Sequence, residues 1–179
     1  MDIVYIYELF DIDLEDIDKS KKVVGNILPE KLESRDFKFI DSLKFSVNIE
    51  KKPKKIMVNG EVKTEIQLIC DRCLENFSFK IDDFFDYIFF LTKIEVTHKN
   101  KEFKLKKDDM DIDFIEDNIL PLKDIIFGQI YLNIPIKKLC SVNCKGLCPN
   151  CGINLNFAKC NCLNFKEYNP FTKLKELLK

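Results

Sequence analysis

The stretch IMVNGEVKTEIQLICDRC, residues 56–73, decides the fold class of this chain. From Ile56 to Cys70, every second residue is apolar or small, while Lys63 and Glu65 stand among the polar residues between them. This period-two pattern predicts a long β-strand that lays one face on a core. A hairpin turn at Asn59-Gly60 would place the apolar residues of the two halves on opposite faces, so we expect one continuous strand with a bulge at Gly60.

The segments on either side of this strand predict an antiparallel meander. Residues 43–49 alternate in the same way, and the lysine-rich run KKPKK at 51–55 predicts the turn that joins them to the long strand. Downstream, the residues at 71–75 form a tight connection to a further strand over 77–91. Another strand is expected over 2–10.

The spacing of apolar residues becomes helical from Pro121 to about Leu132. Pro121 suits the first helical turn, and Pro135 ends the helix. A short terminal helix is expected to begin at Asn169-Pro170. The fold class predicted is α+β, mainly an antiparallel β meander with one mid-chain helix, a C-terminal zinc-knuckle module and a short terminal helix.

The chain is expected to divide into two domains. Residues 1–136 would be a β-rich domain that carries a C-x2-C hairpin tip, and residues 137–179 a cysteine-rich zinc module with the terminal helix packed on it. Residues 11–40 and 92–118 have no clear pattern, so their structure is not assigned.

Composition excludes several classes of function. The formal net charge of −1 gives no overall field toward nucleic acid, although residues 137–179 hold eight lysines against two glutamates. No apolar run reaches the ~18 residues of a membrane span. The N-terminus lacks the basic region of a signal peptide. We therefore expect a cytoplasmic protein in a reducing compartment, where cysteines serve as metal ligands more often than as disulfides.

Eight cysteines carry the strongest functional signal. They are Cys70, Cys73, Cys140, Cys144, Cys148, Cys151, Cys160 and Cys162. The run Cys148-Pro149-Asn150-Cys151-Gly152 is typical of a zinc knuckle. Its two thiolates can take adjacent corners of a tetrahedron, and Gly152 permits the turn that points N–H groups at sulfur. Eight ligands suffice for two sites of four.

We assign the cysteines to two zinc ions by their spacing. One site, closed within a fifteen-residue loop, holds Cys148, Cys151, Cys160 and Cys162. The other holds Cys70, Cys73, Cys140 and Cys144. Closed four-thiolate sites leave no open coordination position, which favours a structural role. An iron–sulfur centre is the alternative for the C-terminal cluster.

No catalytic or small-molecule site is expected. His98 is the single histidine, and five glycines form no phosphate-binding loop. We interpret Asp82-Asp83 and Asp108-Asp109 as solvated loop charges. The lysines of residues 51–55 could contact phosphate, but we prefer a solvated turn that blunts a sheet. The chain is therefore not expected to be an enzyme.

Three blocks of this sequence resemble the YceD family, described as the large ribosomal RNA subunit accumulation proteins. The blocks are VNGEVKTEIQLICDRCLENF at 58–77, LNIPIKKLCSVNCKGLCPNCGINLN at 132–156 and NPFTKLKELLK at 169–179. The resemblance, over roughly 42–91 and 112–179, implies a bacterial role in 23S rRNA synthesis, processing or stability, with no known reaction.

The resemblance also bears on the cysteine assignment. Some members of the family keep only the C-x2-C block, and in those the segment after the helix still offers a His or Cys pair. That pair falls on Cys140 and Cys144, which supports pairing them with Cys70 and Cys73.

The leading hypothesis is a non-enzymatic zinc-binding factor in ribosome biogenesis. Two zinc ions would hold the meander tip and the loop Lys145-Gly146-Leu147 rigid for precursor large-subunit rRNA, a ribosomal protein or a nuclease that the factor blocks. One alternative is a zinc-stabilised protein-interaction module that does not act on RNA. The other is a thiol redox protein using Cys70 and Cys73. No membrane or small-molecule partner is expected.

Overall fold

The computed structural model describes residues 2–6, 11–53, 55–91, 112–115 and 118–162. The chain forms two compact units. The first comprises Met1–Leu68 and Phe77–Ile136, and the second Ile69–Asn76 and Lys137–Lys179. The predicted division at residue 136 differs from this at the C-x2-C hairpin, which groups with the C-terminal segment because its cysteines share a cluster with Cys140 and Cys144.

The described residues form nine strands and one α-helix. They are β1 Asp2–Ile6, β2 Ile12–Asp13, β3 Ser20–Ile27, β4 Lys38–Phe39, β5 Leu43–Lys52, β6 Lys55–Ile69, β7 Asn76–Leu91, β8 Ile112–Ile115, β9 Ile119–Leu120 and α1 Leu122–Asn133. Short 3₁₀ turns lie at Leu14–Asp16 and Pro29–Lys31. The α+β class is therefore confirmed.

The main sheet has the order β1-β3-β5-β6-β7-β8, with β4 also paired to β6, and β2 and β9 form a separate pair. The pairs β3–β5, β4–β6 and β5–β6 are antiparallel, as a meander requires. The outer pairs β1–β3 and β7–β8 are parallel. The sheet is thus mixed at its edges, where the sequence had predicted a mainly antiparallel meander.

The β5–β6 hairpin contains no bulge. Its register runs without interruption from Lys52 opposite Lys55 to Lys44 opposite Lys63, so the single long strand is confirmed and the bulge predicted at Gly60 is wrong. A Cβ at Gly60 would lie 2.7 Å from the carbonyl oxygen of Ser46. The glycine is therefore required by close approach of its neighbours rather than by an extra residue.

Helix α1 covers the inner face of the sheet in the first unit. Its buried residues follow the helical spacing expected for this segment, and they are Leu122, Ile125, Ile126, Gln129 and Ile130. They belong to the same apolar cluster as Leu43, Val47 and Ile66 of the sheet. The helix ends at Asn133, just before Pro135. No described helix combines the length and apolar character that crossing a bilayer needs.

The interpretation of Asp83 as a solvated loop charge is wrong. Asp83 lies within β7 on the core-facing side, and its Oδ2 accepts hydrogen bonds from Gln129 Nε2 at 2.6 Å and Asn133 Nδ2 at 2.7 Å. The hydrogen bond from Asn133, followed by that from Gln129, lowers the pKa of Asp83. The Gln129 side chain is buried, and the Asp83 carboxylate is the acceptor for its amide N–H. Asp82 is exposed and pairs with Lys63 at 3.5 Å.

The lysines of the β5–β6 turn do not form one solvated patch. The Lys51 ammonium donates to the backbone carbonyls of Leu14 and Ile17, the latter at 3.2 Å, because it lies half-buried beside the first 3₁₀ turn. Lys52 pairs with Glu50 at 3.4 Å. The predictions for Tyr7–Phe10, Lys54, His98, Asp108-Asp109 and the terminal helix lie outside the described residues.

Candidate metal centres

Two groups of four cysteines lie in the second unit. One comprises Cys70, Cys73, Cys140 and Cys144, and the other Cys148, Cys151, Cys160 and Cys162; within each, the sulfur atoms lie within 4.8 Å of one another. Membership of the two groups is the same as that assigned from the spacing. All eight cysteines are free of disulfide bonds.

The separations between sulfur atoms fit a single tetrahedral ion in each group. Cys70 and Cys144 Sγ lie 3.8 Å apart, and Cys73 and Cys140 Sγ 3.6 Å. In the second group, Cys148 and Cys160 Sγ lie 3.5 Å apart. A Zn–S bond of about 2.3 Å in a tetrahedron gives an S···S edge of roughly 3.8 Å. Either group could therefore hold a metal ion.

The two C-x2-C hairpins have the same backbone hydrogen bonds. The N–H of Leu74 donates to the carbonyl of Cys70 at 2.9 Å, and the N–H of Gly152 to that of Cys148 at 2.8 Å. The first cysteine of each hairpin closes the turn by donating to the second residue beyond its second cysteine: Cys70 to Glu75 at 2.9 Å and Cys148 to Ile153 at 2.8 Å. Two distant stretches of sequence therefore form the same backbone turn, which we call a knuckle without reference to a bound metal.

The residue after the second cysteine has a left-handed backbone conformation in both knuckles. Gly152 has φ +73°, and Leu74, in the equivalent position, has φ +60°. Glycine adopts this conformation freely, whereas leucine pays about 1–2 kcal/mol for it. The Gly152 signal was readable from the sequence, but a leucine gave no sign of the first knuckle's turn.

Arg72 joins the first knuckle to the segment that supplies its other two cysteines. Its Nη1 donates to the carbonyl oxygen of Cys144 at 2.9 Å, and its own carbonyl accepts from the N–H of Leu147 at 3.2 Å. Gly146, at φ +74°, passes so close that a Cβ there would lie 3.0 Å from the Arg72 carbonyl. These contacts hold Cys144 beside Cys70 across a long separation in sequence.

With this geometry in hand, comparison with known proteins identifies the family. The family described as "Large ribosomal RNA subunit accumulation protein YceD" matches residues 58–178, a span that includes all eight cysteines. The chain belongs to the YceD family.

Two plant proteins named as chloroplastic YCED homolog 1 are similar to this YceD-family chain. The Arabidopsis thaliana protein is 30% identical over 155 residues, which is 73% of this chain and 48% of the relative. The Zea mays protein is 29% identical over 140 residues, 65% of this chain and 47% of the relative. The chain thus spans about half the length of these curated relatives. No solved structure matches it significantly.

Backbone N–H groups and neighbouring thiols set the ionisation of the first group in this YceD-family chain. Burial opposes ionisation of Cys70, but N–H groups of Cys140, Arg72 and Cys73 outweigh it and lower the pKa of Cys70 to about 6. Cys140 is exposed as a residue, yet desolvation of its sulfur and the other three thiols raise its pKa to about 12. Four thiols this close cannot all ionise unless a cation balances the negative charge of their thiolates.

The second group likewise contains one thiol with a lowered pKa and one with a raised pKa. N–H groups of Cys151 and Asn150, against the effect of burial, lower the pKa of Cys148 to about 6. The pKa of Cys151 is raised, since its hydrogen bond from Ile153 is outweighed by the Cys148 thiol and by burial. The donor set, four soft thiolates supplied with N–H donors, is the chemistry of a thiophilic metal site.

Two asparagines that the sequence reasoning missed donate directly to sulfur. Asn156 Nδ2 lies 3.3 Å from Cys144 Sγ, and Asn150 Nδ2 lies 3.3 Å from Cys162 Sγ. The Asn156 amide is the largest influence on Cys144, and with the Gly146 N–H it lowers the pKa of that thiol against the effect of burial. Asn150 stands inside the C-x2-C motif and could have been suspected from it, but the fold alone brings Asn156 to Cys144.

Proposed function

We propose that this chain is a non-enzymatic, zinc-binding factor in ribosome biogenesis that supports the synthesis, processing or stability of large-subunit ribosomal RNA. Membership of the YceD family and the names of the two plant relatives support the ribosomal role. The observation that carries the zinc part of the proposal is the pair of four-cysteine groups with tetrahedral sulfur spacing.

Zinc is the ion that best suits these groups. Zn²⁺ accepts four thiolates in a closed tetrahedron and has no redox chemistry of its own. An iron–sulfur cluster would require wider spacing of its cysteines, because several iron and sulfide ions lie between them. All four sulfur atoms of each group lie within 4.8 Å of one another, which favours one ion in each group. When bound, zinc would cross-link the first knuckle to residues 140–144 and close the loop from Cys148 to Cys162.

The geometry gives no support to the thiol redox alternative. Each cysteine of the Cys70–Cys73 motif has a thiol of the 140–144 segment close to it, at 3.8 Å for Cys70 and 3.6 Å for Cys73. A dithiol engaged in a closed four-ligand site has no free nucleophilic sulfur. The proposal therefore assigns these residues a structural role and no reaction.

The direct partner is proposed to be precursor large-subunit rRNA or a ribosomal protein. The cytoplasmic and bacterial assignments stay predictions, and the comparisons give them no support, because the curated relatives are named chloroplastic.

Deletion of the gene in the source organism tests this proposal. Sucrose-gradient profiles and blots of large-subunit rRNA should show fewer large-subunit particles and less mature RNA. The wild-type gene should restore both, and a gene carrying Cys70→Ser with Cys148→Ser should not. Normal particles and normal RNA in the deletion strain would contradict the proposal. Turnover of insulin disulfides by the zinc-loaded protein would instead favour the redox alternative.

A further inference from the structure

We infer that the loop Asn154–Lys159, together with Lys145, is a contact surface for single-stranded RNA, with Phe157 as the residue on which a base stacks. We call these residues the Phe157 surface. The inference rests on the proposed function and deepens it, because it names the part of the chain that would touch RNA.

Phe157 is exposed although its backbone is held in a defined turn. The side chain is 80% exposed. The N–H groups of Phe157 and Ala158 both donate to the carbonyl oxygen of Asn154, at 3.2 and 3.1 Å. A large aromatic ring on an ordered loop offers a flat apolar face, and bases stack on such faces with little dependence on sequence.

Both cysteine groups fix the position of this loop. The loop lies between Cys151 and Cys160 of the second group in sequence, and Asn156 Nδ2 donates to Cys144 Sγ of the first group at 3.3 Å. The backbone of Leu155 donates to the carbonyl of Gly146 at 2.9 Å. Bound metal would hold the loop in place before a partner arrives, which reduces the ordering cost of binding.

Lys145 is brought to the same surface. Its backbone N–H donates to Asn156 Oδ1 at 2.8 Å, which places it beside the residue that precedes Phe157. Lys159 lies two residues beyond Phe157 and is exposed, as Lys145 is. Lys145 is therefore placed near Phe157 by its backbone hydrogen bond to Asn156 and Lys159 by its position in the sequence, and both lysines are exposed to the phosphates on either side of a base stacked on the ring.

Within the described residues of this unit, the exposed lysines of the Phe157 surface favour an anionic partner. In residues 69–76 and 137–162 the acidic side chains are Asp71 and Glu75. Asp71 is occupied by Lys138, and Glu75 accepts from Asn154 Nδ2 at 3.3 Å. Within these described residues, Lys145 and Lys159 have no ion pair. A filled four-thiolate zinc site keeps a net negative charge, but that charge is centred on the metal and its sulfur atoms, whereas Lys145 and Lys159 are exposed on the Phe157 surface.

Single-stranded RNA suits this surface better than a duplex. A base can stack on Phe157 only if it has left its own helix, since bases in A-form RNA are enclosed by their neighbours. The surface holds one exposed ring and two cations, which match one unpaired base with its adjacent phosphates.

Fluorescence anisotropy with the full, zinc-loaded chain and a short mixed-sequence single-stranded RNA tests the inference. Phe157→Ala should weaken binding by roughly tenfold or more. Phe84→Ala is the matched control, because Phe84 is 70% exposed on β7 of the first unit and should leave binding unchanged. Zinc content of two ions per chain in the Phe157→Ala protein would show that the fold is retained.

The lysines have their own test. Lys145→Gln and Lys159→Gln should each weaken binding and lower the slope of log affinity against log salt by about 0.7. Lys80→Gln, an exposed lysine of β7, is the control and should change neither quantity.

Four results would overturn the inference. They are the absence of RNA binding by the wild type, full binding by Phe157→Ala, equal losses in the Phe84 and Phe157 variants, and a partner complex that survives ribonuclease and holds protein alone. The proposed function is judged separately by the deletion strain. If the chain binds RNA with the same affinity in the Phe157→Ala variant, the Phe157 surface is not the RNA contact, and the proposed ribosomal role is unaffected.

Discussion

Asn156 Nδ2 lies 3.3 Å from Cys144 Sγ, and this hydrogen bond connects the two cysteine groups. Cys144 belongs to the first group, whereas Asn156 belongs to the loop enclosed by the second. An amide N–H directed at sulfur favours the ionised thiolate that a metal needs. The loop enclosed by the second group therefore helps to stabilise the thiolate form of Cys144, a ligand of the first group.

Asn156→Ala should weaken zinc binding at the first group by about 10- to 100-fold, the usual cost of losing an outer hydrogen bond to a ligand. Competition with a chromophoric chelator measures this as a change in the affinity of one of two ions. Asn150→Ala is the matched control, since Asn150 donates to Cys162 at the same 3.3 Å and should weaken only the second ion. If both variants weaken the two ions to the same extent, the claim that each asparagine supports only its own group is wrong.

Single cysteine substitutions should separate the two ions. Cys148→Ser and Cys162→Ser each remove the ion of the second group, and Cys70→Ser removes that of the first, because a closed site of four thiolates tolerates no missing ligand. Metal analysis should give one zinc per chain for each variant and none for Cys70→Ser with Cys148→Ser. If the double variant still holds one zinc, Cys70 and Cys148 serve the same ion and the partition is wrong.

The elements that were predictable are those with a strong period. Each of these elements has one buried face, which gives its apolar residues a regular spacing in the sequence. The period is two residues in β5, β6 and β7 and 3.6 residues in α1, so burial could be predicted from the sequence. Cysteine spacing likewise gave both groups, because a C-x2-C turn constrains its own geometry.

What could not be predicted depends on contacts between distant residues. The parallel pairing of β1 with β3 leaves no local trace in residues 11–40. Asp83 looked like a surface charge because its partners, Gln129 and Asn133, lie on α1. The left-handed turn at Leu74 is set by its knuckle and not by its own preference.

The same substitution at two glycines should have opposite effects. Gly152→Ala should destabilise its knuckle by about 1 kcal/mol, because φ is +73° and a Cβ there would meet nothing within 4 Å, so only the backbone is strained. Gly128→Ala should stabilise α1 by about 1 kcal/mol, since it lies inside the helix with open space around it. Urea denaturation of the zinc-loaded chain measures both, the first by zinc release and the second by circular dichroism. A Gly152→Ala protein that releases zinc at the wild-type urea concentration would contradict the argument.

Asp83 should make stability depend on pH in the acid range. The hydrogen bonds from Asn133 and Gln129 depress its folded pKa below the ordinary value of 3.8. Its contribution is therefore fully present above that value and is lost as pH falls through the folded pKa. Asp83→Asn should flatten the loss of stability below about pH 4 in thermal melts.

Asp82→Asn is the control for this prediction. Its side chain is 64% exposed and its ion pair with Lys63 lies at the surface, where such pairs contribute little. An Asp83→Asn protein with the same acid profile as the wild type would show that the two hydrogen bonds do not stabilise the carboxylate.

Zinc K-edge X-ray absorption of the purified chain, with native mass spectrometry of the same sample, tests the account most directly. We expect two zinc ions per chain, each with four sulfur neighbours at about 2.3 Å. A chain without metal, a sulfur coordination number well below four, or masses that show cysteines joined as disulfides would contradict it.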